Sequence, residues 1–313
     1  MNPLRSFRHY IKASIVTDIM PKLFCLLLLT LVLCILESNK IKVTSSNLPF
    51  VSALSLTIGL LLVFRNNTSY DRYWEGRKLW AQIQTAARTF ARVLTVNLNE
   101  TSAEVEKDKG QAIDLLLTLC QRIKNDLRCE SKYTVENSLG RWVKETKETR
   151  PENEPVNDEL KAKVDKIVKS NALVQKTSKS TNTEVMDGII QLGVYIQRQK
   201  SKSTIDNGSA GVLELMLSEI SNAHLNCQRI ARTPIPPVYL IHLEQILYMY
   251  LIVFPFSIVG SLGYASLPCA FVVYFVLLGI DRIGEEIENP FGYQYNDLPL
   301  DKYCSNIESD VRD

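Results

Sequence analysis

Residues 59–80 read GLLLVFRNNTSYDRYWEGRKLW, an uncharged apolar run that passes directly into amides, aromatics and charges of both signs. No glycine or proline turn marks the junction. On a helix, Leu56, Leu60 and Phe64 fall at i, i+4 and i+8 and form one stripe, with Thr57 and Gly59 as small neighbours. Such a stripe suits lipid contact or helix packing. Its continuation through Arg65, Asn66, Asn67, Arg72 and Glu75 without a breaker also suits a helix that lines one path from bilayer into polar surroundings. Asn66 and Asn67 would offer amide N–H groups to a partly dehydrated anion, yet their carbonyls would serve a cation equally. Arg65, Arg72, Arg77 and Lys78 have a second use, snorkelling beside Tyr70, Tyr73, Trp74 and Trp80 or pairing with Asp71 and Glu75.

Other chemistry finds little support. His9, His224 and His242 are widely spaced, and no H-x-x-x-H, nucleophile elbow or P-loop occurs, so an enzyme is not expected. The seven cysteines include no C-x-x-C pair, which argues for reduced thiols over a disulfide framework or zinc site. A net charge of +2 across 313 residues gives no basis for nucleic-acid binding.

The elements that must position the stripe follow from hydropathy. Gln245–Ile280 holds no formal charge over more than the about 20 residues one span needs, and GSLGYASLP breaks it near its middle, so two helices in a hairpin are expected. Val43–Phe64 is long enough for one span, and Leu23–Leu36 is a shorter fourth candidate. The chain is thus divided into an N-terminal arm (1–22), two spans (23–64), a helical cytosolic region (65–238), two further spans (239–280) and a C-terminal segment (281–313). Basic residues precede the first span (Arg5, Arg8, Lys12, Lys22) and follow the second, while the 260–268 turn has none; both termini are placed in the cytoplasm of a multi-pass protein, with the plasma membrane as the expected membrane. Asp18 and Pro21 interrupt the N-terminal sequence, which lacks the form of a signal peptide and reads as mature. His242 and Glu244, at the start of the third span, read as interfacial.

Within the cytosolic region, Ile113, Leu116, Leu117, Cys120 and Ile123 share one helical face, and Val212, Leu215, Met216, Glu219 and Ile220 another. Residues 145–158 and 199–211 have the composition of flexible linkers.

FRNNTSYDRYWEGRKLW resembles the signature of the bestrophin family of ion channels, in its bacterial and fungal branch, where F-R-N is followed by Y-x-R-x-W-E-x-R-x-x-W. CQRIARTPIPPVY (227–239) and DRIGEEIENPFG (281–292) agree with it. The resemblance implies an all-α polytopic membrane protein with four transmembrane helices and a helical cytosolic bundle, assembled as a homopentamer around a central pore. It implies that Leu56, Leu60 and Phe64 form the pore neck, an apolar constriction that hydrates poorly and gates by dewetting, with Arg65, Asn66 and Asn67 as pore-adjacent polar residues. The implied partners are the lipid bilayer and small inorganic anions, chloride above all. A cation-selective pore of the same fold and a non-conducting membrane scaffold are the alternatives. Animal members follow N-P-F-G with acidic residues that clasp calcium; here only Asn289 and Asp297 are weak candidates, so no cofactor and no calcium activation are expected. Asp281, Glu285, Glu286 and Glu288 are expected to pair with the N-terminal arm or with basic residues of 65–78.

Overall fold

The computed structural model describes residues 15–41, 49–97, 103–138 and 183–312, and among these every regular element is helical. The helices are α1 (Val16–Ser38), α2 (Pro49–Val96), α3 (Ala103–Ser138), α4 (Thr183–Ser201), α5 (Asn207–Arg232), α6 (Pro237–Leu262), α7 (Ser266–Ile287) and α8 (Leu300–Arg312). They form two compact units. One comprises residues up to Trp74, Pro234–Pro290 and Gln294–Asp297; the other comprises Glu75–Thr233, Phe291–Tyr293 and the chain from Leu298 onward.

The first unit holds α1, the first part of α2, α6 and α7. Three stretches are long and apolar enough to cross a membrane: Val16–Ser38, Val51–Val96 and Pro237–Ile287. The third, 51 residues long, folds as two helices, α6 and α7, joined by a 3₁₀ turn at Gly263–Ala265. Gly263 has φ of 57°, a left-handed value that costs glycine little. The hairpin closes on itself where Phe254 of α6 meets Tyr274 of α7 edge-on, their ring centroids 6.2 Å apart. α1 begins at Val16, ahead of the apolar run, so Asp18 and Lys22 lie on its first turns and not in a separate arm. Backbone hydrogen bonding, which hydropathy does not report, sets that start. The rest of the expected arm, residues 1–14, lies outside the described residues.

Leu23, Leu62, Leu247 and Leu278, one from each helix, are buried in a shared core. Phe24, Leu28, Ile252, Val272 and Val276 are exposed on the same helices. Helices apolar inside and out are suited to lipid, because burial from water no longer distinguishes their faces. A polar seam then gives α1 and α7 their register: the Thr30 hydroxyl donates to the Leu26 carbonyl and shares a 3.1 Å hydrogen bond with the Tyr274 hydroxyl, and Cys34 Sγ lies 3.2 Å from Ser266 Oγ.

The second unit is a helical bundle with a conventional core. Trp80, Ile83 and Phe90 of α2, Leu116 and Ile123 of α3, Leu192 of α4, Ile220 of α5 and Ile307 of α8 are all fully enclosed. On α3 the expected face is buried apart from half-buried Ile113. On α5 the expected face holds only in part: Ile220 is buried and Met216 half-buried, but Val212, Leu215 and Glu219 are exposed, and Leu213, Leu217, Cys227 and the ring of His224 point inward. The sequence carries two overlapping apolar stripes there, and the inner one is selected because it brings His224 Nε2 within 2.8 Å of Asp126 Oδ2, where Gln228 also donates at 2.8 Å.

The 199–211 stretch is not a flexible linker. Gln199, Thr204 and Ile205 are buried. The Gln199 carbonyl accepts both the Thr204 N–H at 3.1 Å and its hydroxyl at 2.9 Å, and Asp206 caps α5 by accepting the Ser209 N–H at 3.0 Å. Polar composition here reflects capping chemistry. The other expected linker, 145–158, lies outside the described residues.

Burial alone would raise the Asp126 carboxyl, but hydrogen bonds from His224 and Gln228 outweigh it and hold the group below the ordinary range. Asp301 is likewise lowered, burial being outweighed by Arg128 and by Lys124 at 2.7 Å. A carboxyl lowered by folding contributes stability above its unfolded value, about 3.9, and loses it as pH falls through the folded value. The purified protein's unfolding temperature should therefore change little from pH 7 to about 5 through these groups and decline below about 4. In Asp126→Asn and Asp301→Asn it should start lower, by about 2–4 °C for each kcal/mol lost, and decline less steeply. Thermal unfolding followed by circular dichroism across this pH range checks it.

Candidate functional site

α2 is a single helix of 48 residues, about 72 Å long at the standard rise. Each residue turns about 100° around the axis, so seven residues return nearly to the starting direction. Leu56, Leu60 and Phe64 occupy one face and are 78%, 55% and 55% exposed. Hydroxyls beside them are turned into the helix: Thr57 Oγ1 donates to the Ala53 carbonyl at 3.1 Å and Thr68 Oγ1 to that of Phe64 at 2.9 Å. Gly59 has no neighbouring atom within 4 Å of where a Cβ would sit. The face is open, apolar, and without outward-directed hydroxyl donors at these two positions.

Along the same face the next exposed residues are Asn67, Thr68 and Asp71. Asn67 is therefore exposed on the face of the stripe, and Arg65 and Asn66 are turned off it. Arg65 lies about 100° beyond Phe64, is only 5% exposed, and forms a buried ion pair with Asp281 of α7. Asn66 donates from Nδ2 to the Leu62 carbonyl at 2.9 Å and to the Ile280 carbonyl of α7 at 3.1 Å. A Cβ on Gly284 would lie 3.3 Å from Asn66 Oδ1, so the glycine leaves room for this side chain. Both side chains turn toward α7, which supplies a buried carboxylate to Arg65 and a backbone carbonyl to Asn66.

Arg72, Arg77 and Glu75 are also engaged. Arg72 Nε donates to the Glu288 carbonyl at 3.1 Å, Arg77 lies 4.8 Å from the centre of the Tyr303 ring, and Glu75 pairs with Arg229 at 2.6 Å. The expected pairing of these arginines with Asp71 and Glu75 is replaced by longer-range contacts. Of the C-terminal acids, Asp281 meets Arg65 as expected, whereas Glu285 pairs with Arg282 on its own helix at 2.8 Å and Glu286 accepts from Asn296 at 2.9 Å. Glu288 accepts the Ile235 N–H at 3.1 Å; burial raises its carboxyl, with that bond and Arg72 opposing. Arg282 also reaches Asp18 of α1 at 2.8 Å, and Lys22 lies over the Tyr248 ring. His242 is exposed and Glu244 half-buried.

The two weak calcium candidates have other surroundings. Asp297 is 9% exposed and accepts the Gln294 N–H at 2.6 Å within its own turn, and Asn289 is half-buried. Among the described residues no group of three or more His, Cys, Asp or Glu side chains is placed to hold a metal ion.

An all-helical unit of four apolar helices, with one presenting an unpartnered apolar face that continues into polar residues, defines a polytopic membrane protein. The family model described as Bacterial/Fungal Bestrophin protein matches residues 2–313, and the chain belongs to that family. It is 33% identical over 303 residues to a voltage-dependent anion channel-forming protein of Nostoc sp., covering 97% of this chain and 89% of that one. It is 28% identical over 264 residues to a protein of the same description from Escherichia coli K12, covering 84% and 75%. Its fold matches that of a point variant of a bacterial bestrophin homologue from Klebsiella pneumoniae with a TM-score of 0.75 at 24% identity, over 94% of this chain and 98% of that one. The chain is an integral membrane protein.

The Arg65–Asp281 pair sets up a stability test. Asp281→Asn leaves a buried guanidinium without its counter-charge and should destabilise the protein by roughly 3–5 kcal/mol, whereas replacing both residues by leucine should cost much less. Thermal unfolding of the detergent-solubilised protein distinguishes the two.

Proposed function

We propose that the protein is an oligomeric ion channel that passes small anions, chloride among them, through an axial pore whose neck is formed by Leu56, Leu60 and Phe64. The observation that carries this reading is the open apolar face of α2. Three large apolar side chains stand at successive turns beside hydroxyls directed inward, and the face then runs without a break into Asn67 and Asp71. One subunit cannot enclose a conduit with one face of one helix, so several copies around an axis are required, and the reading takes a homopentamer. A ring of such side chains leaves a short constriction that water wets poorly. The names of the related channel-forming proteins from Nostoc and Escherichia coli support anions as the permeant. The basic residues flanking the spans support cytoplasmic termini, with the plasma membrane as the site of action.

A second reading, a cation-selective pore of the same fold, is favoured by one observation: the exposed carboxylate of Asp71 on the same face. Reconstitution of the purified protein in a planar bilayer under a KCl gradient separates the possibilities. A reversal potential near that of chloride supports the anion channel, one near that of potassium supports the cation pore, and absence of current supports a scaffold. Replacing Leu56, Leu60 and Phe64 together by alanine should raise conductance with the oligomer intact; loss of the oligomer would instead place these residues in a packed interface, where each truncation costs about 2–5 kcal/mol.

The same recordings test calcium. Calcium takes about 6–8 oxygen ligands, whereas Asp297 is committed to the Gln294 amide. Open probability should change little between chelator and micromolar calcium, and steep reversible activation would overturn this.

A further inference from the structure

We propose that Asp71 limits the anion preference of this pore, drawing cations toward the neck and opposing the anions that the channel otherwise passes. The proposal rests on the neck reading given above. Asp71 stands seven residues beyond Phe64 and fifteen beyond Leu56, so at about 100° per residue it projects within about 20° of the Phe64 direction, roughly 10 Å further along the axis. It is exposed. Among the described residues it takes no ion pair, and its nearest acidic neighbour in sequence, Glu75, is paired with Arg229 at 2.6 Å. The arginines that flank it are occupied elsewhere: Arg65 pairs with Asp281, and Arg72 donates to the Glu288 carbonyl at 3.1 Å. In a symmetric assembly this leaves a ring of uncompensated carboxylates at the cytosolic mouth of the neck, and carboxylate rings favour cations.

Lys78, also exposed, has the opposite charge and stands seven residues beyond Asp71 on α2. Screening decides between them. At physiological ionic strength potentials decay over about 8 Å. Asp71 therefore acts on the neck through roughly one decay length, and Lys78, farther from Phe64 along the helix, acts more weakly. A solvated surface carboxylate, by contrast, would have no influence on permeation.

The test uses the full-length oligomer in planar bilayers under a KCl gradient, with Cys25, Cys129 and Cys269 replaced by serine. Asp71→Asn, a surface change that preserves size, should shift the reversal potential toward chloride and raise the chloride-to-potassium permeability ratio on the order of three- to tenfold. Asp71→Lys should shift it further. Lys78→Gln should produce a smaller shift toward potassium. In 1 M KCl, where the decay length is about 3 Å, the Asp71→Asn shift should shrink. Light scattering establishes that each variant retains its assembly. Leu60→Cys, treated with a water-soluble thiol reagent, reports separately on the neck. Block at Leu60→Cys with no change of ratio in Asp71→Asn overturns the assignment of Asp71 alone. A conducting Leu60→Cys channel indifferent to the reagent overturns the neck reading, and the assignment of Asp71 falls with it.

Discussion

The rotation of α2 about its own axis decides which of its faces stays open, and the buried Arg65–Asp281 pair constrains that rotation within the first unit. A guanidinium this deeply enclosed cannot be left without a counter-charge, because the cost of an unpaired buried charge exceeds any gain from alternative apolar packing. Arg65 must therefore point at α7. Leu56, Leu60 and Phe64 then point away from it, since residues on one helix cannot rotate independently. The Asn66 amide adds a second tie to the Ile280 carbonyl, and Gly284 gives it the space to do so. The apolar face is thus presented by a polar anchor on the opposite side of the helix.

The two units achieve order by different physics. In the second, enclosed aromatic and aliphatic side chains such as Trp80, Phe90 and Leu116 gain from leaving water. In the first, apolar residues lie on both faces of the helices, so burial alone cannot choose the register. Thr30 with Tyr274, and Cys34 with Ser266, supply the direction that burial does not. The charges near the ends of these helices, Asp18 with Arg282 and Arg65 with Asp281, extend the same logic, because each pair joins two helices at a fixed level.

Much of the site was legible because it depends on local period and composition. The apolar stripe, its spacing and its continuation into Asn67 follow from helix geometry, and the four apolar helices follow from hydropathy. Arg65 and Asn66 follow the stripe in sequence but do not share its face, since Arg65 lies about 100° beyond Phe64 around the helix and pairs with α7. Asp71 was passed over as a counter-ion for nearby arginines; its relation to Leu60 and Phe64 is present in the numbering but stands out only once those arginines are engaged elsewhere.

The sequence by itself determined the class of element, the apolar spans, the break at Gly263 and the residues that can share a helical face, because these rest on interactions between residues near in the chain. Tertiary structure alone decided which of two overlapping stripes on α5 is buried, that residues 199–211 form a capped and packed turn, and that Arg65 pairs with Asp281 of α7. Those outcomes depend on Asp126 beside His224, on Asp108, which accepts from the Gln199 side-chain amide at 3.3 Å, and on Asp281 beside Arg65, partners between about ninety and more than two hundred residues away. A buried donor or charge selects its partner by proximity in the folded chain, and local period carries no information about that distance.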